Sequence, residues 1–264
     1  MTVEGPLVIE EEGGVVTLTL HRPDKLNALN AELLSALYAQ VSSLEARPAV
    51  SRPRALIITG SGERAFVAGA DVAAMSELTS TQARQFSQLG QRLGRALDEA
   101  SFPSLAAVNG FALGGGCELA LCCDLILAAE RARFGQPEVN LGLMPGFGAT
   151  LRLAARVGIG RARRLLYTGE QLDAATALEL GLADAVFPDG ELMTAARELA
   201  RGIASKAPLA VAACKRSLLR AQRSDPTTAT DYESEAFAGL FATADGREGI
   251  GAFLAKRTPR FTAQ

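Results

Sequence analysis

The sequence predicts an α/β fold, a largely parallel sheet followed by an all-helical C-terminal region, on three observations. Short continuous apolar runs at Ala55–Gly60, 105–108 and 125–128 have the length and composition of strands buried on both faces. Helical or glycine-rich segments separate these runs, an alternation that places strands parallel to one another. From about Pro145 onward strand signals nearly vanish, leaving 183–187 as a further run, and the last sixty or so residues read as helix throughout.

At the N-terminus, Val15–Leu20 is β-branched and mostly apolar behind the turn signal Gly13-Gly14, which predicts a hairpin. His21 ends this run and reads as a strand-end structural residue ahead of a catalytic one. Asn30 is placed to cap a helix whose Leu34, Leu37, Tyr38, Val41 and Leu44 recur at helical spacing. A second helix is predicted over 81–100. Near the C-terminus, Phe237, Leu240 and Phe241, then Ile250, Phe253 and Leu254, form apolar stripes on the final two helices. Such stripes serve equally as intramolecular core or as a face buried against another subunit.

Composition excludes several classes of function. A chain of 264 residues with 48% hydrophobic content can bury a substantial core in one compact body. With 27 Lys and Arg against 29 Asp and Glu, the net charge of −2 exerts no global pull toward nucleic acid or an anionic membrane, so an anionic ligand must meet a local basic patch. The N-terminal residues lack the basic start and apolar stretch of a signal peptide, and the longest apolar stretches are broken by Asp71, Glu118 and Asp124. A cytoplasmic protein with no membrane partner is expected. Cys117, Cys122, Cys123 and Cys214 show no zinc-ligand spacing and read as small buried apolar residues. A single histidine rules out multi-His metal sites, and no GxSxG elbow accompanies it for a serine triad. No metal site is expected.

Three stretches place glycines and lone carboxylates in apolar surroundings. The first, residues 65–72 (AFVAGADV), follows a predicted strand, and its small residues let a ligand approach the backbone. The second, 109–119 (NGFALGGGCEL), opens an apolar helix with three glycines, so free N–H groups and the positive end of the helix dipole meet at one spot suited to a developing oxyanion. A phosphate-cradling loop is the alternative, but neither GxxxxGK[ST] nor GxGxxG is present. Glu118 stands two residues beyond these glycines, among Cys117, Leu119 and Ala120. The third stretch, 134–142 (FGQPEVNLG), puts Glu138 in an equally apolar loop. A carboxylate in such company is costly unless paired or used, and burial raises its pKa toward working pH, so the two form a candidate acid and base. The competing reading is that one or both cap helices or pair with Arg131, Arg133 or Arg152.

In these stretches the chain resembles the enoyl-CoA hydratase/isomerase, or crotonase, family. The resemblance runs from His21-Arg22-Pro23 and Asn27-Ala28-Leu29 through the three stretches and Pro145-Gly146 to residues 253–257. It implies a spiral of ββα units over residues 1–200 carrying a coenzyme A thioester site, and a helical oligomerisation region over 201–264 that builds homotrimers or homohexamers. It further implies an oxyanion hole made by the N–H groups of Ala70 and Gly115. Glu118 would orient and deprotonate the attacking water while Glu138 protonates the α-carbon. Ala68, Ala70, Asp71, Val72 and Gly115, with Lys25 and Lys256, are the implied coenzyme A contacts; Arg22 and Arg257 are further phosphate candidates. The substrate would be an acyl-CoA, with no separate cofactor. Both glutamates together imply an enoyl-CoA hydratase, with a double-bond isomerase, another thioester enzyme of this fold, or a noncatalytic RNA-binding member as alternatives; the charge of −2 argues against the last. Met75, Leu78, Leu143, Met144 and Phe147 are candidate acyl-pocket residues. The chain departs from the pattern at Ala149 and Leu151, where many hydratases have Gly and Gln, and at Ala73 and Ala74, where a positive residue is often seen.

Overall fold

The structure is a computed structural model and describes residues 2–264. Strands β1 (Thr2–Glu4), β2 (Leu7–Glu12) and β3 (Val15–Leu20) form an antiparallel meander, with Gly13 and Gly14 making the turn into β3. Helix α1 (Ala31–Ala46) begins where Asn30 Oδ1 accepts from the Leu33 N–H at 2.9 Å, the side-chain cap that satisfies a first-turn donor. Strand β4 (Ala55–Gly60) then pairs parallel to β3. It leads to β5 (Ala65–Val67), the short helix α2 (Val72–Met75) and α3 (Ser80–Glu99), whose start is fixed by a Thr79/Gln82 capping box.

Twice more the chain lays one strand in a large sheet and the next in a small one. Strand β6 (Ser104–Val108) is followed by β7 (Phe111–Leu113) and helix α4 (Gly115–Leu121); β8 (Leu125–Ala129) is followed by β9 (Arg133–Gly135), a 3₁₀ turn at Pro137–Leu141, α5 (Ala149–Val157) and α6 (Ile159–Thr168). Strand β10 (Gln171–Asp173), α7 (Ala174–Glu179) and β11 (Ala185–Phe187) complete the two sheets. The large sheet runs β1-β2-β3-β4-β6-β8-β11, parallel from β3 onward; the small one runs β10-β9-β7-β5. This alternation is the expected spiral of ββα units. The sequence reading missed β1 and all four strands of the small sheet, β5, β7, β9 and β10, each three residues long and too short for periodicity to register.

Helices α8 (Leu192–Ala204), α9 (Pro208–Arg223), α10 (Pro226–Phe241) and α11 (Ala244–Leu254) finish the chain. The two faces of β4 meet different cores. Leu56 and Ile58 join a large apolar cluster with α1, α3 and α4, whereas Ala55 and Ile57 face α8 through Ala196 and Ala200. That two-sided burial explains the continuous apolar run in β4. Residue 200, the expected limit of the core, falls inside α8, which covers the back of the large sheet.

One open alternative is decided here and one expectation changes. The C-terminal stripes are not intramolecular core: α10 has no buried residue, and Phe237, Phe241, Ile250, Phe253 and Leu254 are 50–83% exposed. Of the four cysteines, Cys117, Cys122 and Cys123 are buried but Cys214 is exposed, because α9 turns Ala212, Ala213 and Lys215 inward and leaves Cys214 on the opposite side.

Candidate active site

The segment after β5 is held by the chain that precedes α1. Asn27, fully buried, donates to the carbonyls of Ser61 (3.0 Å) and Ala65 (2.9 Å) and accepts from Ser61 Oγ (3.0 Å) and the Arg22 N–H (3.1 Å). Its backbone is left-handed, with φ of 57°, a conformation asparagine tolerates better than most residues. From this anchor Leu29 reaches across: its N–H donates to the Gly69 carbonyl and its carbonyl accepts from the Asp71 N–H, both at 2.8 Å. Both flanks of Ala70 are thereby paired, and among the described residues the Ala70 N–H has no acceptor.

Arg22 and Asp71 belong to the same scaffold. The Arg22 guanidinium sits 3.1 Å from Asp71 and also donates to the Ala28 carbonyl, holding the Asp71 carboxyl below its ordinary range. Arg22, expected among the phosphate partners, is thus occupied in bracing residues 28–71. Asp71 in turn caps α2 through the Ala74 N–H. Lys25 stands exposed nearby, its charge reaching Asp71, while Ala68 is half-buried and Val72 exposed at the rim.

Helix α4 brings the second donor, and its glycines do different jobs. Gly114 is the N-cap with φ of 50°, and a side chain there would meet Glu138 Oε1 at 2.8 Å. A Cβ on Gly116 would lie 2.0 Å from the Val67 carbonyl, so α4 can press onto β5 only without one. Between them the Gly115 N–H, in the first turn of the helix, has no acceptor among the described residues. Leu29 and Phe147 pack over Gly115. The close contact of α4 with β5 brings the two free donors, Ala70 and Gly115, onto neighbouring segments.

Glu118 lies on α4 and is 2% exposed. One oxygen, Oε1, accepts from the N–H groups of Phe147 (2.7 Å) and Ala149 (2.9 Å), leaving Oε2 free. Burial pushes its pKa up, partly offset by those backbone donors. Glu138, in the 3₁₀ turn, is half-buried, and burial lifts its pKa to about 7, with the charge of Glu118 adding to the rise. Two carboxylates that interact this way resist joint ionisation. Neither glutamate pairs with an arginine among the described residues: Arg131 binds Glu63 and Asp189, and Arg152 binds Asp98. Glu118 does cap the start of α5, so the capping alternative is correct for one of its oxygens.

The sequence reading overlooked Gln136. It is 1% exposed, and with its amide nitrogen turned to Glu138 it sits 3.1 and 3.3 Å from the two carboxylate oxygens. Two positions before the glutamate in FGQPE, a glutamine gave no distinguishing signal. Of the acyl-pocket residues, Phe147 is buried beside Gly115 and edge-on to Phe86, Met75 and Leu78 are half-buried, and Leu143 and Met144 are exposed. His21 is exposed at the end of β3.

The remaining predicted phosphate partners lie in the C-terminal segment. Lys256 is exposed beyond α11 with φ of 52°, and Arg257 is engaged by Glu248 at 2.6 and 2.7 Å. Helix α11 packs on α10. A concavity of about 550 Å³ lies here too, between Asp245, Glu248, Arg257 and Arg260 and away from both glutamates. Among the described residues, no group of three or more His, Cys, Asp and Glu is arranged to hold a metal ion, and no helix is long and apolar enough to cross a membrane.

Residues 10–264 match the Enoyl-CoA hydratase/isomerase family. The chain is 44% identical over 251 residues to the short-chain-enoyl-CoA hydratase of Clostridium acetobutylicum, covering 95% of each. It is 44% identical over 258 residues to the crotonyl-CoA hydratase of Syntrophomonas wolfei, covering 98% of each. Among solved structures, the enoyl-CoA hydratase of Bacillus anthracis superposes with a TM-score of 0.94 at 35% identity, over 98% of this chain and all of that one.

Proposed function

The chain belongs to the enoyl-CoA hydratase/isomerase family, and we propose that it adds water reversibly across the 2,3-double bond of an enoyl-CoA to give a 3-hydroxyacyl-CoA. One observation carries this reading: two carboxyl groups with raised pKa values converge beside two backbone N–H groups that lack acceptors. The thioester carbonyl accepts from the Ala70 and Gly115 N–H groups, whose fixed dipoles favour the enolate-like charge that develops as water adds. Loss of one such donor costs roughly 3 kcal/mol of barrier.

Glu118 enters ionised. With Oε1 fixed by Phe147 and Ala149, Oε2 takes a proton from water as the oxygen bonds to the β-carbon. Glu138 enters protonated, as its pKa of about 7 allows, and delivers its proton to the α-carbon. Gln136 sets the direction of that carboxyl. The substrate is an acyl-CoA whose coenzyme supplies no chemistry of its own, so no separate cofactor is assigned. Lys25 is the basic residue near the Ala68 to Val72 segment to meet its phosphates, and Lys256 would serve from a neighbouring subunit. The exposed faces of α10 and α11 support a homotrimer or homohexamer. We assign the protein to the cytoplasm, with no nucleic-acid or membrane partner.

The test is loss of enoyl-thioester absorbance with crotonyl-CoA and a series of longer enoyl-CoAs. Wild-type protein hydrates at least one; Glu138→Gln and Glu118→Gln each lower kcat by a hundredfold or more. No turnover at any chain length would sink the reading. A double-bond isomerase would keep most of its isomerase activity in Glu118→Ala, which a hydratase cannot.

A further inference from the structure

We propose that Arg152 is a positioning residue for Glu118, clamping the turn whose N–H groups grip that carboxylate. The inference rests on the hydratase reading above and adds to it a residue outside the reacting shell. Phe147 is the hinge of the geometry: its N–H donates to Glu118 at 2.7 Å, and its carbonyl accepts from Arg152 Nη1 at 3.3 Å. The same guanidinium reaches α3, where Nη2 lies 2.8 Å from Asp98. Arg152 therefore ties the start of α5 to α3, with the Glu118 anchor between them.

The slot is shaped for this side chain. A Cβ on Gly94 would stand 2.9 Å from Nη2, and one on Gly148 would stand 2.5 Å from Nη1, so both glycines clear space for a planar fork. Asp98 also accepts from Arg223 of α9 at 3.0 Å, so Arg152 shares its counter-ion and keeps part of its positive charge.

That charge falls on Glu118. The titratable groups that act on Glu118 are Glu138 from the 3₁₀ turn, Cys117 from its own helix, Cys122 at that helix's C-cap and Arg152 from α5, with Asp98 of α3 behind Arg152. Both thiols are pushed up to about 12 by burial and stay neutral. Arg152 is the one cation in this set, so it favours the ionised form that a base requires. Position and protonation state are thus set by one side chain.

The experiment compares Arg152→Met and Arg152→Lys with wild type in steady-state kinetics across pH, and by hydrogen exchange over residues 146–149. Arg152→Met should lose kcat by roughly tenfold to a hundredfold, keep KM within about twofold, and move the acid limb of kcat upward. Arg152→Lys keeps the charge but loses the fork, so its kcat falls while the acid limb stays put. Exchange of the Phe147 and Ala149 amides should speed up in both variants. Wild-type kcat and acid limb in a folded Arg152→Met, or wild-type kcat in Arg152→Lys should the Met variant not fold, would overturn the proposal. Unchanged exchange overturns it as well, and does so even if wild-type protein hydrates no enoyl-CoA, in which case the hydratase reading fails separately.

Discussion

At Glu138, the burial that keeps a proton available for catalysis costs stability once that proton is lost. Its folded pKa of about 7 lies above the ordinary 4.5, so the native state binds the proton more tightly than the unfolded chain. Stability is then greatest with the carboxyl protonated and declines as pH rises from about 4.5 to about 7. The shift corresponds to about 3 kcal/mol at face value, and partial solvation with the Gln136 contact reduces it to about 2 kcal/mol. Urea unfolding should find Glu138→Gln more stable than wild type by about that amount at pH 8, and equal to it near pH 4. For the same reason hydration by wild type should decline above about pH 7 as the acid form is lost, which a kcat profile reads directly. Both glutamates were legible in the sequence, because a carboxylate among apolar neighbours stands out at any position. Gln136 was not, since nothing in FGQPE tells which way its side chain turns, and Arg152 was legible only as a possible ion-pair partner, since its contacts with Phe147 and Asp98 form only in the fold.

At the scale of elements, the loop over residues 21–29 carries more than its composition suggests. It contains no regular strand or long helix, yet it pins the Ala70 donor through Leu29 and does so from a single buried anchor, Asn27. Replacing Asn27 by alanine orphans the Ser61 and Ala65 carbonyls and places a Cβ residue in left-handed backbone without a compensating bond. A loss of roughly 3 kcal/mol in stability is expected. A fall in kcat should accompany it at temperatures where the variant stays folded, measured by thermal melts and crotonyl-CoA turnover in parallel. The strands β3, β4, β6, β8 and β11 of the large sheet were readable from their apolar runs; β1 and the short strands of the small sheet, β10 among them, were not. Only pairing to β9 makes the three residues of β10 a strand.

For the molecule as a whole, the exposed apolar faces of α10 and α11 weigh most. Phe237 and Phe241 stack edge to face at 5.1 Å between centroids, with Phe253 and Leu254 bare on the next helix. An apolar face of this extent is costly in water and is expected to be covered by further copies of the chain. Light scattering on the eluted protein should give the mass of a homotrimer or homohexamer. Phe241→Glu combined with Phe253→Glu should shift it to smaller species and lower the melting temperature. An unshifted mass would place the interface elsewhere.

By itself the sequence determined the α/β class, the order of the main strands and the helix capped by Asn30, and it marked two glutamates as carboxylates in apolar company. These are properties of residue type and local spacing, and the periodicity of burial writes them along the chain. Tertiary structure alone decided that Arg22 braces Asp71, that the C-terminal stripes face outward, that Cys214 is exposed, and that Gln136 and Arg152 attend the glutamates. Each of these depends on which way a side chain turns or on which segment comes within hydrogen-bonding or packing distance. Local pattern carries no record of such meetings, so they emerge only when both sheets and their helices are in place.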